Sequence, residues 1–258
     1  MKRKLNILLL VFTLLALISL CVYLVYNHFR EPLDSVDLTI NRNSENGFVV
    51  YEDTYQLIMD VCDTVNNTQI NMIDVDSVVN VLNSNPWTTG VEASISLKSV
   101  LEVDIVECEP IARVYNSKNK SVYIDNNGNI FPTDNDYVPR VLVCNGNISF
   151  PVNKLGNVKD EIYLSTDLPE FFALLKEVLS DDYSRSCVKQ IYKDKKKNYI
   201  FSLNNTNIIV IFGDVNNIKE KLHKMKHFFE RMQGNPELDN YKEINLNYKN
   251  QVVCTKNK

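Results

Sequence analysis

The side chains with the greatest chemical reach are few. Of three histidines, His223 and His227 stand four residues apart, a spacing at which two imidazoles on one helix face can hold zinc. A zinc-protease helix also needs glutamate directly after the first histidine, and Lys224 occupies that place. No cysteine is spaced to add a third ligand, so the pair reads as a solvated basic helix face and no metal is implied. Six cysteines are present. With Cys21 inside an apolar run, five remain (Cys62, Cys108, Cys144, Cys187 and Cys254), an odd number without the close pairs of a disulfide framework. Cys62 and Cys108 fall on apolar faces and are expected in the core. Seven glycines form no phosphate-cradling loop, and neither G-x-S-x-G nor a Walker pattern occurs. No catalytic residue, cofactor site or small-molecule substrate is implied. Three Asn-x-Ser/Thr sequons begin at Asn66, Asn147 and Asn204, as chance supplies in so asparagine-rich a chain.

Position along the chain says more than chemistry. Lys2, Arg3 and Lys4 precede an uncharged stretch, residues 5–26, in which Asn6, Thr13 and Ser19 are the polar members. At ~1.5 Å per residue these 22 residues span roughly 33 Å, enough for a hydrocarbon core of about 30 Å. The run is too long for a signal peptide, and Leu20-Cys21-Val22-Tyr23 lacks a small-x-small cleavage site. It reads as a membrane anchor carried by Leu5, Leu10, Leu15, Leu20 and Tyr26. The basic head 1–4 places the N-terminus in the cytoplasm. Without that head the chain holds 25 Lys+Arg against 32 Asp+Glu, a formal charge of −7, which gives no reason to expect nucleic-acid binding.

Beyond the anchor, apolar periods mark elements. Residues 34–40 alternate through Val36, Leu38 and Ile40 as a first strand. Tyr55, Ile58, Met59 and Cys62 make one face of a helix starting near Glu52 or Asp53. Val75, Val78, Val79 and Leu82 fall at helical spacing until Asn85-Pro86 ends the run. Val91, Ala93, Ile95 and Leu97 then alternate with polar residues. After a Lys98-Ser99 turn, Leu101, Val103 and Ile105 do the same. The order is β-α-α-β-β. Short strands follow around residues 111–115, 122–124, 130–132 and 141–143. Asp167 is expected to cap a helix with Phe171, Leu174, Leu175 and Val178 inward. Strands at 187–193, 198–203 and 208–212 precede a helix at 216–233 with Ile218, Leu222, Met225, Phe229 and Met232 on one face. Last comes one long strand, 241–254, in which Ile244, Leu246 and Tyr248 alternate.

Several words in this order resemble the FtsQ/DivIB family of bacterial division proteins. They are Asn85-Pro86-Trp87 followed by Val91-Glu92, and Glu107-x-x-Pro110-Ile111-Ala112-Arg113, with Glu109 departing from the basic residue expected there. Tyr123-Ile124-Asp125-x-x-Gly128 with Phe131-Pro132 follows, then Phe212-Gly213, Lys221-Leu222 and Ile244-Asn245-Leu246-x-Tyr248. The resemblance implies an α+β chain: a head at 1–4, a transmembrane helix at 5–26, a β-α-α-β-β POTRA domain at 32–109, a mainly antiparallel β domain with two helices at 110–254, and a tail at 255–258. It also implies a non-enzymatic scaffold of the divisome at the septum, in the inner membrane with its domains in the periplasm. The implied partners are the FtsL–FtsB/DivIC coiled coil and other division components, linked to septal peptidoglycan synthesis. A chain-terminal strand at a sheet edge can accept another strand, which singles out Asn245, Leu246, Tyr248, Asn250, Gln251 and Val253. Trp87 reads either as a hinge packing residue or as a contact of the POTRA domain. Two other readings stay open: a POTRA module of an export or assembly system, and an anchored extracytoplasmic enzyme.

Overall fold

The computed structural model describes residues 2–62, 68–134, 136–204 and 206–257, with the backbone alone for residues 2–8. The side chain of Leu5, the sequon positions Asn66, Asn67 and Asn205, and Lys258 of the tail lie outside the described residues. The chain divides into two compact units, Met1–Cys108 and Glu109–Lys258.

Unit 1 begins with helix α1, Lys2–His28. Its segment Leu9–His28 has a mean hydropathy of 2.6 and none of it is buried in the protein. Leu10, Leu15, Leu20 and Tyr26 are all exposed, as a helix surrounded by lipid requires. Strand β1 (Ser35–Asn41), helices α2 (Tyr51–Val61) and α3 (Val75–Asn83), and strands β2 (Thr88–Ile95) and β3 (Val100–Glu107) follow in the expected order. The sheet runs β1-β3-β2, β1 parallel to β3 and β2 antiparallel to it. Period two puts Leu101, Val103 and Ile105 of β3 inward, against Ile58 of α2 and Val78 and Leu82 of α3. Asp74 caps α3 through Ser77 N–H at 3.2 Å. One expectation fails. Leu97 does not continue the inward row, because β2 stops at Ile95 and Ser99 takes a left-handed conformation (φ 62°). The side chain of Leu97 therefore points away from the core on a tight turn.

Unit 2 is one sheet of ten strands. These are β4 (Pro110–Tyr115), β5 (Ser121–Asp125), β6 (Asn129–Pro132), β7 (Leu142–Gly146), β8 (Gly156–Asn157), β9 (Val188–Lys193), β10 (Tyr199–Leu203), β11 (Ile209–Gly213), β12 (Tyr241–Asn245) and β13 (Val253–Lys256). Their spatial order is β13-β12-β11-β10-β9-β7-β4-β5-β6-β8. Most neighbours are antiparallel, but β4–β7, β7–β9 and β11–β12 are parallel. Parallel neighbours need long crossovers. Helices α4 (Glu161–Leu164), α5 (Leu168–Ser180) and α6 (Asp182–Cys187) lie between β7 and β9, and α7 (Ile218–Met232) lies between β11 and β12. The expected pair of helices is thus joined by two short ones. Phe171, Leu174, Leu175 and Val178 of α5 and Leu222 and Met225 of α7 pack on alternate strand residues such as Val114, Cys144, Ile191, Phe201 and Ile244. Asp167 does not cap α5. Its carboxylate accepts from Ser149 N–H at 2.7 Å and pairs with Lys193, while Thr166 Oγ1 accepts from Leu168 N–H.

Candidate partner-binding edge

The terminal region of unit 2 is built outward from β11. Helix α7 returns the chain so that β12 lies parallel to β11, with Val210 opposite Ile244 and Ile211 opposite Asn245. Lys221 fixes the start of α7. Its ammonium, almost buried, donates to the Asp214 carbonyl at 2.8 Å and carboxylate at 2.6 Å and lies over the Phe212 ring. The hydrogen bond from Lys221 holds the Asp214 carboxyl below the usual range. Ile244 and Leu246 are fully buried, and Leu246 N–H donates to Ile211 carbonyl at 2.9 Å.

The single strand expected over 241–254 is in fact a hairpin of β12 and β13. Polar side chains bonding to nearby backbone interrupt the extended run, a competition that Asn enters readily. Asn245 Oδ1 accepts from Asn247 N–H at 3.0 Å. Asn250 turns left-handed (φ 57°). Lys224 of α7 donates to the carbonyls of Leu246 and Tyr248 at 2.9 and 3.0 Å. Gly213 makes room for the Asn247 side chain, since a Cβ there would sit 1.6 Å from Asn247 Oδ1.

The hairpin distributes the six candidate residues unequally. Leu246 is core. Asn245 pairs with Val253 inside the hairpin. Tyr248, Asn250 and Gln251 are exposed on the turn, and Val253 is exposed on β13. Thr255 and Lys256, both exposed on the same strand, were not singled out from sequence. Strand β13 is last in the sheet order, paired with β12 on one side. Beside it, α7 and the turn enclose a groove of about 580 Å³ that includes His223, His227, Phe228 and Gln251. The two imidazoles meet edge to face at 4.2 Å, and His227 Nδ1 lies 3.5 Å from Glu230. Among the described residues no group of three or more His, Cys, Asp or Glu is placed to hold a metal.

The remaining candidates lie elsewhere. The indole of Trp87 stacks on buried Phe48, 5.8 Å and 6° apart, which is a packing contact inside unit 1. Cys62, Cys108, Cys144 and Cys187 are buried. Burial pushes the Cys187 thiol up to about 11 and raises those of Cys144 and Cys62, so these sulfurs stay protonated and poorly nucleophilic.

Two buried charges also escaped the sequence reading. Glu107 accepts from Phe48 and Val49 N–H at 2.7 and 3.2 Å and pairs with Arg42 at 3.2 Å. Gly47 leaves room for it, since a Cβ there would fall 2.3 Å from Glu107 Oε1 and the carboxylate would have to shift. Lys193 pairs with Asp167 at 3.0 Å and Glu170 at 3.3 Å and lies over the Tyr199 ring. Both residues fall on the inward parity of their strands. A charge in that row was the available signal.

A family model described as FtsQ/DivIB, C-terminal related, matches residues 109–255, more than half of the chain and nearly all of unit 2. A comparison with curated proteins finds no match.

Proposed function

We propose, for a chain that belongs to the FtsQ/DivIB C-terminal related family, that it serves cell division as a non-enzymatic, single-pass membrane scaffold. Helix α1 anchors it, with the basic head in the cytoplasm and both units beyond the membrane at the septum. The outer edge of β13 takes up an extended segment of a membrane-anchored partner of the FtsB/DivIC type, itself paired with an FtsL-like chain. Main-chain hydrogen bonds give such strand addition its affinity, and the side chains alternating along the edge give it selectivity. Val253 and Thr255 would supply that selectivity on one parity of the strand. Anchoring both proteins in one bilayer raises their effective concentration, so a short edge suffices. Held this way, the coiled coil would connect early division proteins to septal peptidoglycan synthesis.

The observation that carries this reading is the position of β13 at the end of a ten-stranded sheet, within the region matched to the family. The test is co-purification of the full chain from detergent-solubilised membranes with its FtsB/DivIC-like neighbour, compared with a chain lacking residues 253–258. The partner should be lost from the shortened chain while amide exchange in β10 and β11 stays slow. Retention of the partner would remove β13 as the site.

A further inference from the structure

Helix α1 does not reach unit 1 through a slack linker. Directly after its last turn, Phe29 carbonyl accepts from Asn71 N–H at 3.1 Å and Glu31 carbonyl accepts from Ile70 N–H at 3.0 Å. Pro32 bridges to Gln69. The Glu31 carboxylate accepts from Ser99 Oγ at 3.2 Å, and Asp34 N–H donates to Ser99 carbonyl at 2.8 Å. The helix end is therefore tied to two turns at once: the 3₁₀ turn Ile70–Met72 and the β2–β3 turn at 96–99.

Those same turns carry an unusual surface. Outside α1, the two most exposed large apolar side chains among the described residues are Leu97 (91%) and Met72 (73%). One sits on each turn, and Phe29 at the helix end is half exposed beside them. Between helix and turns runs an apolar groove of about 750 Å³, walled by Leu24 and Val25 on one side and by Ile73, Ile95 and Leu97 on the other. Leu24 and Val25 belong to the membrane-crossing segment Leu9–His28. Val25 is three residues, roughly 5 Å, from its end. The opposite wall thus stands at the depth of the outermost hydrocarbon. Cationic and aromatic groups fit the adjoining headgroup level: Lys98 is exposed next to Leu97, and Arg30 lies over the Tyr26 ring at 4.6 Å. Aromatic and basic side chains are the usual occupants of that level.

We propose that Leu97 and Met72 insert into the lipid leaflet that α1 enters from unit 1, with phospholipid acyl chains filling the groove. Unit 1 is then held in one fixed pose on the bilayer. Two inserted turns and a helix make three points of attachment, which fix the tilt and rotation that a single helix leaves free in the bilayer. The proposal rests on α1 crossing the membrane and is independent of what the β13 edge binds.

Tryptophan quenching tests it in the full chain. Leu97→Trp in a Trp87→Phe background is reconstituted alone, at low protein-to-lipid ratio, in phosphatidylcholine–phosphatidylglycerol vesicles brominated at a shallow or a deep acyl position. The L97W emission should shift to the blue of N-acetyltryptophanamide in the same suspension and be quenched more by shallow than by deep bromine. A parallel Leu15→Trp chain should be quenched most by deep bromine. If L15W is quenched while L97W emits as in water, the anchor stands and the insertion is refuted. A blue-shifted but unquenched L97W would mean that protein, including a second copy of this chain, fills the groove, which also overturns the proposal. Should Trp87→Phe impair folding, L97W is read in the parent chain against the Trp87 signal alone.

Discussion

Glu107 in unit 1 and Lys193 in unit 2 are both charged residues on the inward row of a strand, 4% and 1% exposed. Their surroundings differ in one decisive respect. Glu107 is solvated by two backbone N–H groups of the 42–50 segment, inside the protein, with Arg42 behind them. Lys193 is matched by carboxylates that are themselves 28% and 46% exposed. Removing Glu107 takes the carboxylate acceptor from two backbone N–H groups inside the protein, whereas removing Lys193 leaves acceptors that water can reach. The significance of a buried charge is set by what its partners can do without it.

The sharpest way to break this contrast is Glu107→Ala. Depriving two buried amides of their carboxylate acceptor should destabilise unit 1 by about 2–5 kcal/mol. Urea unfolding followed by Trp87 fluorescence reads it directly, because that indole stacks on Phe48, whose N–H loses the Glu107 carboxylate. An unmoved midpoint would show that the segment finds other acceptors. Next in size is Lys193→Met, which keeps the length and apolar stem of the side chain. It should cost unit 2 less, about 1 kcal/mol, since the carboxylates left behind, Asp167 and Glu170, are partly exposed and water can hydrate them. Amide exchange in β9 and β10 measures it, and a loss as large as that from E107A would erase the distinction.

The smallest effect belongs to Asp214, whose carboxyl is held low by Lys221. A depressed folded-state value adds stability that is fully present above the ordinary carboxylate range, near 4, and is lost as pH falls through the folded value. Asp214 is itself largely exposed, so screening keeps its share below ~1 kcal/mol. The protection of amides at the first turn of α7, relative to their intrinsic exchange rate, should fall as the pH drops below about 4 in the parent chain. In Asp214→Asn this protection should be lower already at neutral pH and should not change further as the pH drops below about 4.

Much of the fold was legible because one-dimensional periods carry it. The uncharged run of α1, the alternation of Leu101, Val103 and Ile105, and the stripe from Phe171 to Val178 each follow from a burial pattern that repeats locally. Three features lay beyond that kind of reading. The parallel pairs β4–β7 and β7–β9 join residues some thirty to fifty positions apart, and no local period encodes which strands meet. Helix α6 is a short, polar turn capped by Asp181 through Ser184 N–H, with too few apolar positions to show a stripe. The break between β12 and β13 depends on Asn245, Asn247 and Asn250, in a chain where asparagine is so common that it reads as background. The alternation of Ile244, Leu246 and Tyr248 ran straight through that break. The same period carried Leu97 inward, when its backbone had already turned. Of the candidate edge, its existence was legible from sequence; its exact strand was not.

One pairing has a mechanical consequence. The chain leaves the membrane helix and enters β1 at its N-terminal end, and it leaves β3 at the C-terminal end for unit 2. Because β1 and β3 are parallel, in register from Ser35–Val100 to Asn41–Val106, tension between the bilayer and unit 2 pulls the two strands in opposite directions along their length. The rungs of hydrogen bonds are then loaded in shear, all together, rather than peeled one after another as in a hairpin pulled open at its ends. Unit 1, in series between helix α1 and unit 2, thus meets tension along the chain as a shear clamp rather than as a zipper.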